Sequence, residues 1–250
     1  MMPMVLSIVI PAHNEEANIS ETVTGLIEEL KKEAIAYEVI IVDDNSSDNT
    51  GSAAEALVQR YPGVVVLRRR PPKGFGRAVR DGLAAATGDA VSIVMGDLSD
   101  DPKDVIRCFR KIEEGYDCVF GSRFIKGSKV KDYPPVKLFT NRMANLFIQV
   151  LFGTRVNDMT NAFKMYRSGV IKAVMPIQAL YFNITVEIPL KAIIRGYSYA
   201  QIPISWYGRK SGVSKLSIKE MGRKYLFTVL YVWLEKILLD DELRNNTAAS

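Results

Sequence analysis

Cysteine and histidine are almost absent from this chain of 250 residues, which has two cysteines, Cys108 and Cys118, and one histidine, His13. Their scarcity excludes zinc fingers, iron–sulfur clusters, a disulfide framework and histidine-rich metal sites, because each of these needs more thiol or imidazole groups. A Ser-His-Asp triad would have to use His13, because the chain has no other histidine. Two cysteines without a disulfide framework favour a reducing compartment.

Long apolar runs and the best-known phosphate-binding motifs are missing as well. A membrane-spanning helix needs about 20 apolar residues, whereas the uncharged run Tyr225–Leu234 has only ten. Residues 1–10 carry no basic stretch and Pro11 follows at once, so we expect no signal peptide. The glycine patterns of a dinucleotide site and of a P-loop are absent, and Gly74-Phe75-Gly76 predicts a flexible turn before a helix.

Acidic residues are scarce in one part of the chain. Residues 121–224 hold 18 basic and 4 acidic residues, a balance of +14, whereas residues 1–120 have a balance of −7. The basic block predicts an anionic partner, which is a nucleic acid, a phosphorylated ligand or an anionic membrane face; a solvated basic surface is the alternative. No RNA-binding module pattern is present, so we expect no nucleic-acid partner.

Strands and helices alternate in the predicted first half. The predicted strands are Val5–Ile10, Glu38–Val42, Val64–Leu67, Ala90–Met95 and Cys118–Gly121. The predicted helices are Glu16–Glu33, Asn49–Arg60, Gly76–Ala86 and Pro102–Glu114. Continuous Val and Ile runs are typical of parallel strands buried on both faces. The succession predicts an α/β fold with a mostly parallel central sheet flanked by helices.

Polar residues follow the carboxyl ends of these strands, where open α/β sheets bind their ligands. They are His13-Asn14-Glu15, Asp43-Asp44, Arg68–Arg70, Asp97 and Arg123. Two acidic ends would repel a bare phosphate. They favour a divalent cation at one end and hydroxyl or base N–H donors at the other.

An ordered set of motifs resembles the inverting glycosyltransferases of family 2. The motifs are Val9–Glu16 (VIPAHNEE), Val42–Thr50 (VDDNSSDNT), Asp97 and Gly121–Arg123 (GSR). Two later motifs, Asp158–Lys164 (DMTNAFK) and Arg209–Lys215 (RKSGVSK), resemble the dolichol-phosphate (polyprenyl-phosphate) mannosyl- and glucosyltransferases. The resemblance spans about residues 5–215 and implies the GT-A (Rossmann-like) fold. We therefore expect a catalytic domain at 1–215, with a nucleotide-sugar half at 1–120 and an acceptor half at 121–215, and an amphipathic helix with a polar tail at 216–250.

The resemblance implies a metal-dependent reaction. An inverting enzyme of this kind moves a hexose, mannose or glucose, from a nucleotide-diphosphate sugar such as GDP-mannose or UDP-glucose to a polyprenyl (dolichyl) phosphate. One alternative keeps the fold and donor but uses a sugar hydroxyl as acceptor in polysaccharide or glycoprotein assembly, with Asp158 as the candidate base. A second alternative is an inactive nucleotide-binding relative.

The expected cofactor is Mg²⁺ or Mn²⁺, which neutralises the charge that develops on a diphosphate leaving group. Hard cations bind carboxylate oxygen, so Asp97 is the expected ligand. The family motif at this strand end is Asp-x-Asp, but Met95 occupies its first position, and a thioether is a poor ligand for a hard cation. Ser99, where the subgroup often has Gln, is the second candidate, which could coordinate directly or through water; the alternative is that Asp100 or Asp101 replaces the missing carboxylate. We expect weak metal affinity in the absence of the donor.

The nucleotide-binding residues follow from the resemblance. Asp44 is expected to accept hydrogen bonds from the nucleoside, Pro11, His13 and Glu15 to line the base and ribose, and Val42 to belong to the same site. For His13 we expect stacking on the base; packing in the core is the alternative.

The acceptor side is basic. A prenyl phosphate is already ionised near pH 7, so its oxygen can attack without a general base and catalysis depends on positioning. The motifs assign phosphate binding to Arg123, Arg209 and Lys215, with Lys164 next, and the expected catalytic residues are Asp97, Arg123 and Arg209. Lys126, Lys137 and Arg142 are further candidates, and the alternative is that several of these cations face anionic lipid headgroups.

Two apolar segments, Arg142–Phe152 and Tyr225–Leu239, predict amphipathic helices that lie on a bilayer surface. With the basic block and no predicted transmembrane helix, they favour a cytoplasmic protein attached peripherally to the anionic cytoplasmic face of the membrane. Packing against the catalytic core, or on a second subunit in a homodimer, is the alternative.

Overall fold

The computed structural model describes residues 3–207 and 218–248, with side chains of the last helix described for residues 222–239. The strands are β1 (Val5–Ala12), β2 (Ala36–Asp43), β3 (Val64–Arg68), β4 (Ala90–Ile93), β5 (Cys118–Ser122), β6 (Lys129–Lys131), β7 (Lys164–Arg167), β8 (Tyr199–Pro203) and β9 (Ser205–Tyr207). The helices are α1 (Ile19–Lys32), α2 (Thr50–Arg60), α3 (Phe75–Ala85), α4 (Pro102–Glu113), α5 (Pro135–Phe152), α6 (Ser168–Ala173), α7 (Ile184–Ile194) and α8 (Ile218–Ala248).

The central sheet has the strand order β3-β2-β1-β4-β7-β5-β8. Strands β1 to β4 pair in parallel, and β8 is parallel to β5. Strand β7 lies antiparallel between β4 and β5, in the register Ile93↔Lys164 and Phe120↔Lys164. The sheet confirms the predicted fold class and the five predicted strands. The sequence pattern did not predict β7, which separates β4 from β5.

Two apolar clusters cover the faces of this sheet. In β1, Leu6, Ile8 and Ile10 pack into the cluster with α1 and α4, whereas Val9 belongs to the cluster with α3 and α7. Helix α1 buries Ile19, Val23, Leu26, Ile27 and Leu30. This spacing of three and four residues places them on one side of the helix. Each such side chain contributes about 1.5–3 kcal/mol to stability when it is fully buried. Because apolar clusters cover both faces of the sheet, this burial fixes the positions of the strands.

The second half of the chain adds β7 and β8 to the sheet, and β6 pairs with β9 in a separate parallel pair. Helix α5 begins at Pro135, well before the predicted segment, because proline suits the first helical turn. It ends at Gly153, whose φ of 65° is left-handed. The predicted domain boundaries stay predictions.

Helix α8 is longer than the predicted apolar segment; it contacts α7 and forms hydrogen bonds to residues that flank α7 on both sides. The Asn183 amide donates to Thr228 Oγ1 at 2.8 Å, the Tyr225 hydroxyl donates to the Phe182 carbonyl at 3.0 Å, and Arg195 pairs with Glu235 at 2.5 Å. Among the helices in residues 3–207 and 218–248, none has the length and apolar character needed to cross a membrane.

Candidate active site

A cavity of about 690 Å³ lies at the edge of the sheet where β1, β2, β4 and β5 end. The predicted site residues that line it are Pro11, His13, Glu15, Asp44, Asp97, Ser99 and Arg123. They come from distant parts of the chain and meet because these strands point the same way, so that their carboxyl ends share one edge. The cavity therefore unites most of the residues that the strand-end argument selected.

The Asp44 carboxylate is held from two sides. The Gly74 backbone N–H donates to Oδ2 at 2.6 Å, and the Arg69 guanidinium pairs with Oδ1. Arg69 also donates to Asp81 at 2.5 Å. Burial lowers the pKa of Arg69, but its hydrogen bonds to Asp81 and Asp44 raise this pKa overall. Asp44 is thus a fixed acceptor at the cavity wall, and the sequence analysis missed both of its partners.

Gly74 and Gly76 do more than form a flexible turn. A Cβ atom added at Gly74 would lie 2.6 Å from the Leu180 carbonyl oxygen, and one at Gly76 would lie 2.7 Å from Tyr181 N. The backbone can approach the 180–182 segment this closely only because glycine has no side chain. This packing brings Phe75 against Phe182, with ring centroids 4.1 Å apart and nearly parallel planes.

His13 and Glu15 follow β1 at the same end of the cavity. The His13 Nε2 atom lies 3.3 Å from Lys73 Nζ, and Lys73 also lines the cavity. The Glu15 backbone N–H donates to Thr50 Oγ1 at 2.8 Å, and its carboxylate accepts from Asn18 at 2.9 Å. Lys73 adds a cation beside His13 that the motif comparison did not select.

Asp97 and Ser99 form a compact turn after β4. Both residues are buried, and the Ser99 N–H donates to Asp97 Oδ1 at 3.2 Å. Leu98 between them has a φ of 62°. This left-handed conformation is strained for leucine and is characteristic of functional turns. Both residues line the cavity, so their oxygen atoms bound the space that a ligand would occupy.

Asp100 lies beside this turn and accepts from the Met95 N–H at 2.9 Å. Burial and then the charge of Asp97 raise the pKa of Asp100 to about 7, against the opposing effects of the Met95 hydrogen bond and of Arg123. The Met95 backbone N–H thus holds the Asp100 carboxyl group in place, whereas the Met95 side chain offers no oxygen ligand.

The oxygen donors at the turn suit a hard cation only in part. Within the described chain, no group of three or more His, Cys, Asp or Glu side chains could hold a metal ion. The carboxylate of Asp97 and the hydroxyl of Ser99 are oxygen donors of the right type, but a complete coordination shell needs oxygen atoms from a ligand and from water. This donor set fits Mg²⁺ or Mn²⁺ bound together with a diphosphate.

Arg123 forms a buried ion pair with Asp158. Its Nε and Nη2 donate to the two carboxylate oxygens at 2.8 and 2.7 Å, and its backbone N–H donates to Oδ2 at 2.9 Å. The two side chains are 7% and 0% exposed. Burial lowers the pKa of Arg123, but the charge of Asp158 and its hydrogen bonds raise that pKa well above its ordinary value. Asp158 therefore fixes the guanidinium at the cavity wall.

Tyr133, Lys137, Asn141 and Trp206 surround Arg123 and line the cavity. The Tyr133 hydroxyl accepts from Arg123 Nη1 at 3.3 Å and from the Asn141 amide at 3.2 Å. Lys137 Nζ lies 5.7 Å from the Tyr133 ring centroid, and the Trp206 ring meets the Tyr133 ring edge-on at 5.0 Å. The sequence analysis named Lys137 as a further candidate and missed the other three, which belong to no motif.

Two predicted site residues lie elsewhere. Lys164 is 1% exposed and donates through Nζ to the Met159 carbonyl at 2.9 Å and to the Asn161 carbonyl. Burial lowers its pKa to about 7, with Asp158 opposing this shift. Lys164 is therefore a buried structural donor that does not line the cavity, and its assignment to the acceptor phosphate stays a prediction.

Val42 is the second residue that lies away from the cavity. Its side chain is fully buried in the cluster under α3, and its backbone pairs with Pro11 and Leu67 on either side. It does not line the cavity, and its assignment as a nucleotide-binding residue stays a prediction. Arg209 and Lys215 lie outside the described residues, and their assignments stay predictions.

The end of the cavity near α5 and α8 is apolar. Its wall there comprises Ala144, Phe147, Ile148, Phe182, Leu226 and Val229. One cavity therefore joins an acidic region, a region around a fixed arginine and an apolar region.

Comparison with known proteins agrees with this geometry. The model of the family described as "Glycosyl transferase family 2" matches residues 7–175. The dolichol-phosphate mannosyltransferase of Pyrococcus furiosus is 30% identical over 218 residues, which are 86% of this chain and 60% of that protein. The polyprenol monophosphomannose synthase of Mycolicibacterium smegmatis is 28% identical over 216 residues, 84% of this chain and 80% of that protein. The match thus spans less than two thirds of the Pyrococcus protein.

A solved structure supports the fold. The glucosyl-3-phosphoglycerate synthase of Mycobacterium tuberculosis, in complex with Mn²⁺, UDP and phosphoglyceric acid, superposes with a TM-score of 0.70 at 21% identity, covering 92% of this chain and 78% of that chain. At this identity the likeness concerns the fold alone, and it confirms the GT-A architecture.

Proposed function

We propose, from the premise that this chain belongs to glycosyl transferase family 2, that it transfers a hexose from a nucleotide-diphosphate sugar to a polyprenyl phosphate in a cation-dependent reaction. The observation that carries the proposal is the single cavity whose wall contains the acidic residues Asp44 and Asp97, the cation Arg123 and the apolar side chains of Phe147 and Leu226. A donor with a base and a diphosphate, and an acceptor with a phosphate and an apolar chain, need these three kinds of lining.

The donor end is built around Asp44. Its carboxylate, fixed by Arg69 and Gly74, retains lone pairs that can accept from base or ribose donors. His13, Pro11 and Glu15 line the same end, and Lys73 supplies a positive charge beside His13. We therefore assign this end to the nucleoside of a donor such as GDP-mannose or UDP-glucose.

Asp97 and Ser99 are the residues that would hold Mg²⁺ or Mn²⁺. When bound, the ion supplies positive charge that stabilises the departing diphosphate. In the buried turn, the Ser99 N–H keeps the Asp97 carboxylate oriented towards the cavity, where the diphosphate oxygens would complete the coordination.

The acceptor phosphate is assigned to the region around Arg123. Asp158 holds one edge of the guanidinium, and the remaining N–H groups of Arg123 can donate to a phosphate oxygen. Lys137 and Asn141 line the same wall. A phosphate oxygen held here attacks the anomeric carbon; the bond from that carbon to the diphosphate oxygen breaks, and the nucleoside diphosphate leaves with the electron pair. Arg209 and Lys215 are proposed to join the phosphate site.

A sugar-hydroxyl acceptor is less well supported. Such an acceptor needs a general base, and Asp158 was the candidate in the second half of the chain. Both of its oxygens accept from Arg123, its side chain is fully buried, and it does not line the cavity. An ionised phosphate needs no base, which agrees with this arrangement.

We also propose peripheral attachment to an anionic membrane surface. The α5 stripe consists of the exposed residues Val136, Phe139, Met143, Leu146, Phe147 and Val150. The α8 stripe consists of the exposed residues Leu226, Phe227, Leu230, Leu234, Ile237 and Leu238. Spacings of three and four residues put each set on one side of its helix, and the same helices carry Lys137, Arg142, Arg223 and Lys224. Apolar side chains flanked by cations are the features of a helix that lies in a membrane interface. A homodimer that covers the stripes is the alternative occupant.

The experiment for the reaction is a screen of nucleotide-diphosphate sugars with polyprenyl phosphate in detergent micelles, with Mg²⁺ or Mn²⁺ and with product identified by mass. A free monosaccharide offered in place of the lipid tests the hydroxyl alternative. We expect hexosyl-phosphoryl-polyprenol only. Arg123→Lys, which keeps the charge but loses the two-pronged pairing with Asp158, should raise the KM for the lipid phosphate more than that for the donor.

A further inference from the structure

The cavity reaches the protein surface between α5 and α8. Phe147 and Leu226 line its apolar region and are nevertheless 45% and 50% exposed. Phe147 belongs to the α5 stripe, Leu226 belongs to the α8 stripe, and the two helices are in contact. These two side chains therefore form a mouth through which the cavity is continuous with both apolar stripes.

The interior behind this mouth is also apolar. Ile148 follows Phe147 by one residue and Val229 follows Leu226 by three; both are buried and line the same cavity. Phe182 also lines the cavity, where its ring stacks on Phe75 and its carbonyl accepts from Tyr225 on α8. A passage lined in this way favours an uncharged hydrocarbon and disfavours a sugar or a nucleotide, whose polar groups would lose their hydrogen bonds to water.

Resting on the proposed function, we infer that the mouth between Phe147 and Leu226 is the binding subsite for the first isoprene units of the acceptor, which enters the active site sideways from the bilayer. The chain is covalently joined to the phosphate, so a phosphate held at Arg123 must send its chain along the cavity wall. The cavity wall contains Arg123 and, on α5, Asn141, Ala144 and Phe147, whose spacing of three residues places them along one side of that helix. The mouth then releases the rest of the chain between the two apolar stripes.

Binding of the acceptor at this subsite can be measured separately from attachment of the protein to a membrane. Phe147 and Leu226 would contact the acceptor even when no bilayer is present. Leu146 and Leu234 lie on the same stripes and are 52% and 56% exposed, but they do not line the cavity. The chain thus offers a matched control for each mouth residue on the same helix.

The test is steady-state transfer to geranyl phosphate, a short water-soluble prenyl phosphate, at saturating donor and without lipid. Phe147→Ser is compared with Leu146→Ser, and Leu226→Ser with Leu234→Ser. We expect the KM for geranyl phosphate to rise about tenfold at each mouth residue, the size expected when an apolar side chain no longer contacts an isoprene unit, and to rise far less at its control. The kcat should stay within about twofold, because the reacting groups are not touched. With methyl phosphate, which has no chain, the difference within each pair should vanish.

Equal KM values within both pairs would overturn the inference. Donor binding measured by calorimetry checks that each variant is folded, and Phe147→Leu and Leu226→Ala replace any serine variant that fails this check. Failure of the proposed function has a different signature: the wild-type protein would then transfer hexose neither to geranyl phosphate nor to long polyprenyl phosphate in micelles. That result would remove the inference together with the function on which it rests.

Discussion

Replacement of Asp158 by asparagine distinguishes a residue that positions Arg123 from a residue that removes a proton. Asp158 accepts three hydrogen bonds from Arg123, at 2.7, 2.8 and 2.9 Å, and both side chains are almost fully buried. Asparagine keeps the shape and one oxygen but turns the other oxygen into an NH₂ group that faces guanidinium donors. The arginine would then remain buried without its counter-charge.

The expected loss of stability follows from that geometry. Removal of one partner from a buried, hydrogen-bonded ion pair costs about 3–5 kcal/mol. For a chain of this size, each kcal/mol lowers the melting temperature by about 2–4 °C, so we expect a decrease of roughly 6–20 °C. Asp132→Asn is the matched control, because Asp132 is exposed and lies in the same half of the chain. A substitution of that kind should change the unfolding free energy by no more than about 0.5 kcal/mol.

Kinetics of Asp158→Asn then test the role. If Asp158 positions Arg123, the KM for the prenyl phosphate rises while the pH profile of kcat keeps its shape. A general base would behave differently: kcat would fall by about 10²–10⁴ and the acidic limb of the profile would disappear. If the variant has an unchanged unfolding free energy and shows the loss of kcat and of the acidic limb, Asp158 does not act by positioning Arg123.

Three further predictions concern metal binding, stability and membrane contact. Asp97→Asn should lower the transfer rate by about 10²–10³, and EDTA should stop the wild-type enzyme; full activity in both tests would contradict the metal assignment. The pKa of Lys164 is about 7 in the folded protein against an ordinary value of 10.5, so between these values only the unfolded chain holds the proton and stability should rise with pH. In denaturant titrations, the unfolding free energy of Lys164→Met should not show this rise with pH. An equal rise in both proteins would mean that it does not come from the lowered pKa of Lys164. The protein should sediment with anionic vesicles, less so at high salt, and Phe139→Ser with Leu238→Ser should weaken binding more than Val65→Ser on β3; indifference to every vesicle would favour a homodimer interface.

The strands of the first half could be predicted because they are buried on both faces of the sheet. A strand buried in this way is a continuous run of apolar residues such as Val and Ile, which is visible in the sequence. Strand β7 could not be predicted in this way. Its sequence, Lys-Met-Tyr-Arg, contains no apolar run, and it becomes a strand because β4 and β5 supply hydrogen-bond partners on both sides. Pairing between distant segments decides its conformation.

Some residues of the site could be predicted from the sequence and others could not. Asp44, Asp97 and Arg123 could be placed together because they follow strands that end at one edge of the sheet. Tyr133 and Trp206 lie on segments whose approach to Arg123 depends on the packing of the second half. The burial of Lys164 away from the cavity could not be predicted either, because a motif match identifies a residue type but not the direction of its side chain.

The central claim is hexose transfer to a prenyl phosphate, and the most direct measurement is the mass of the product formed from a nucleotide-diphosphate sugar, Mg²⁺ or Mn²⁺ and polyprenyl phosphate. We expect a lipid product heavier than the acceptor by one hexose unit, formed with release of the nucleoside diphosphate and absent when EDTA is added. Transfer of hexose to a sugar hydroxyl, with the lipid phosphate left unchanged, would refute the proposed function.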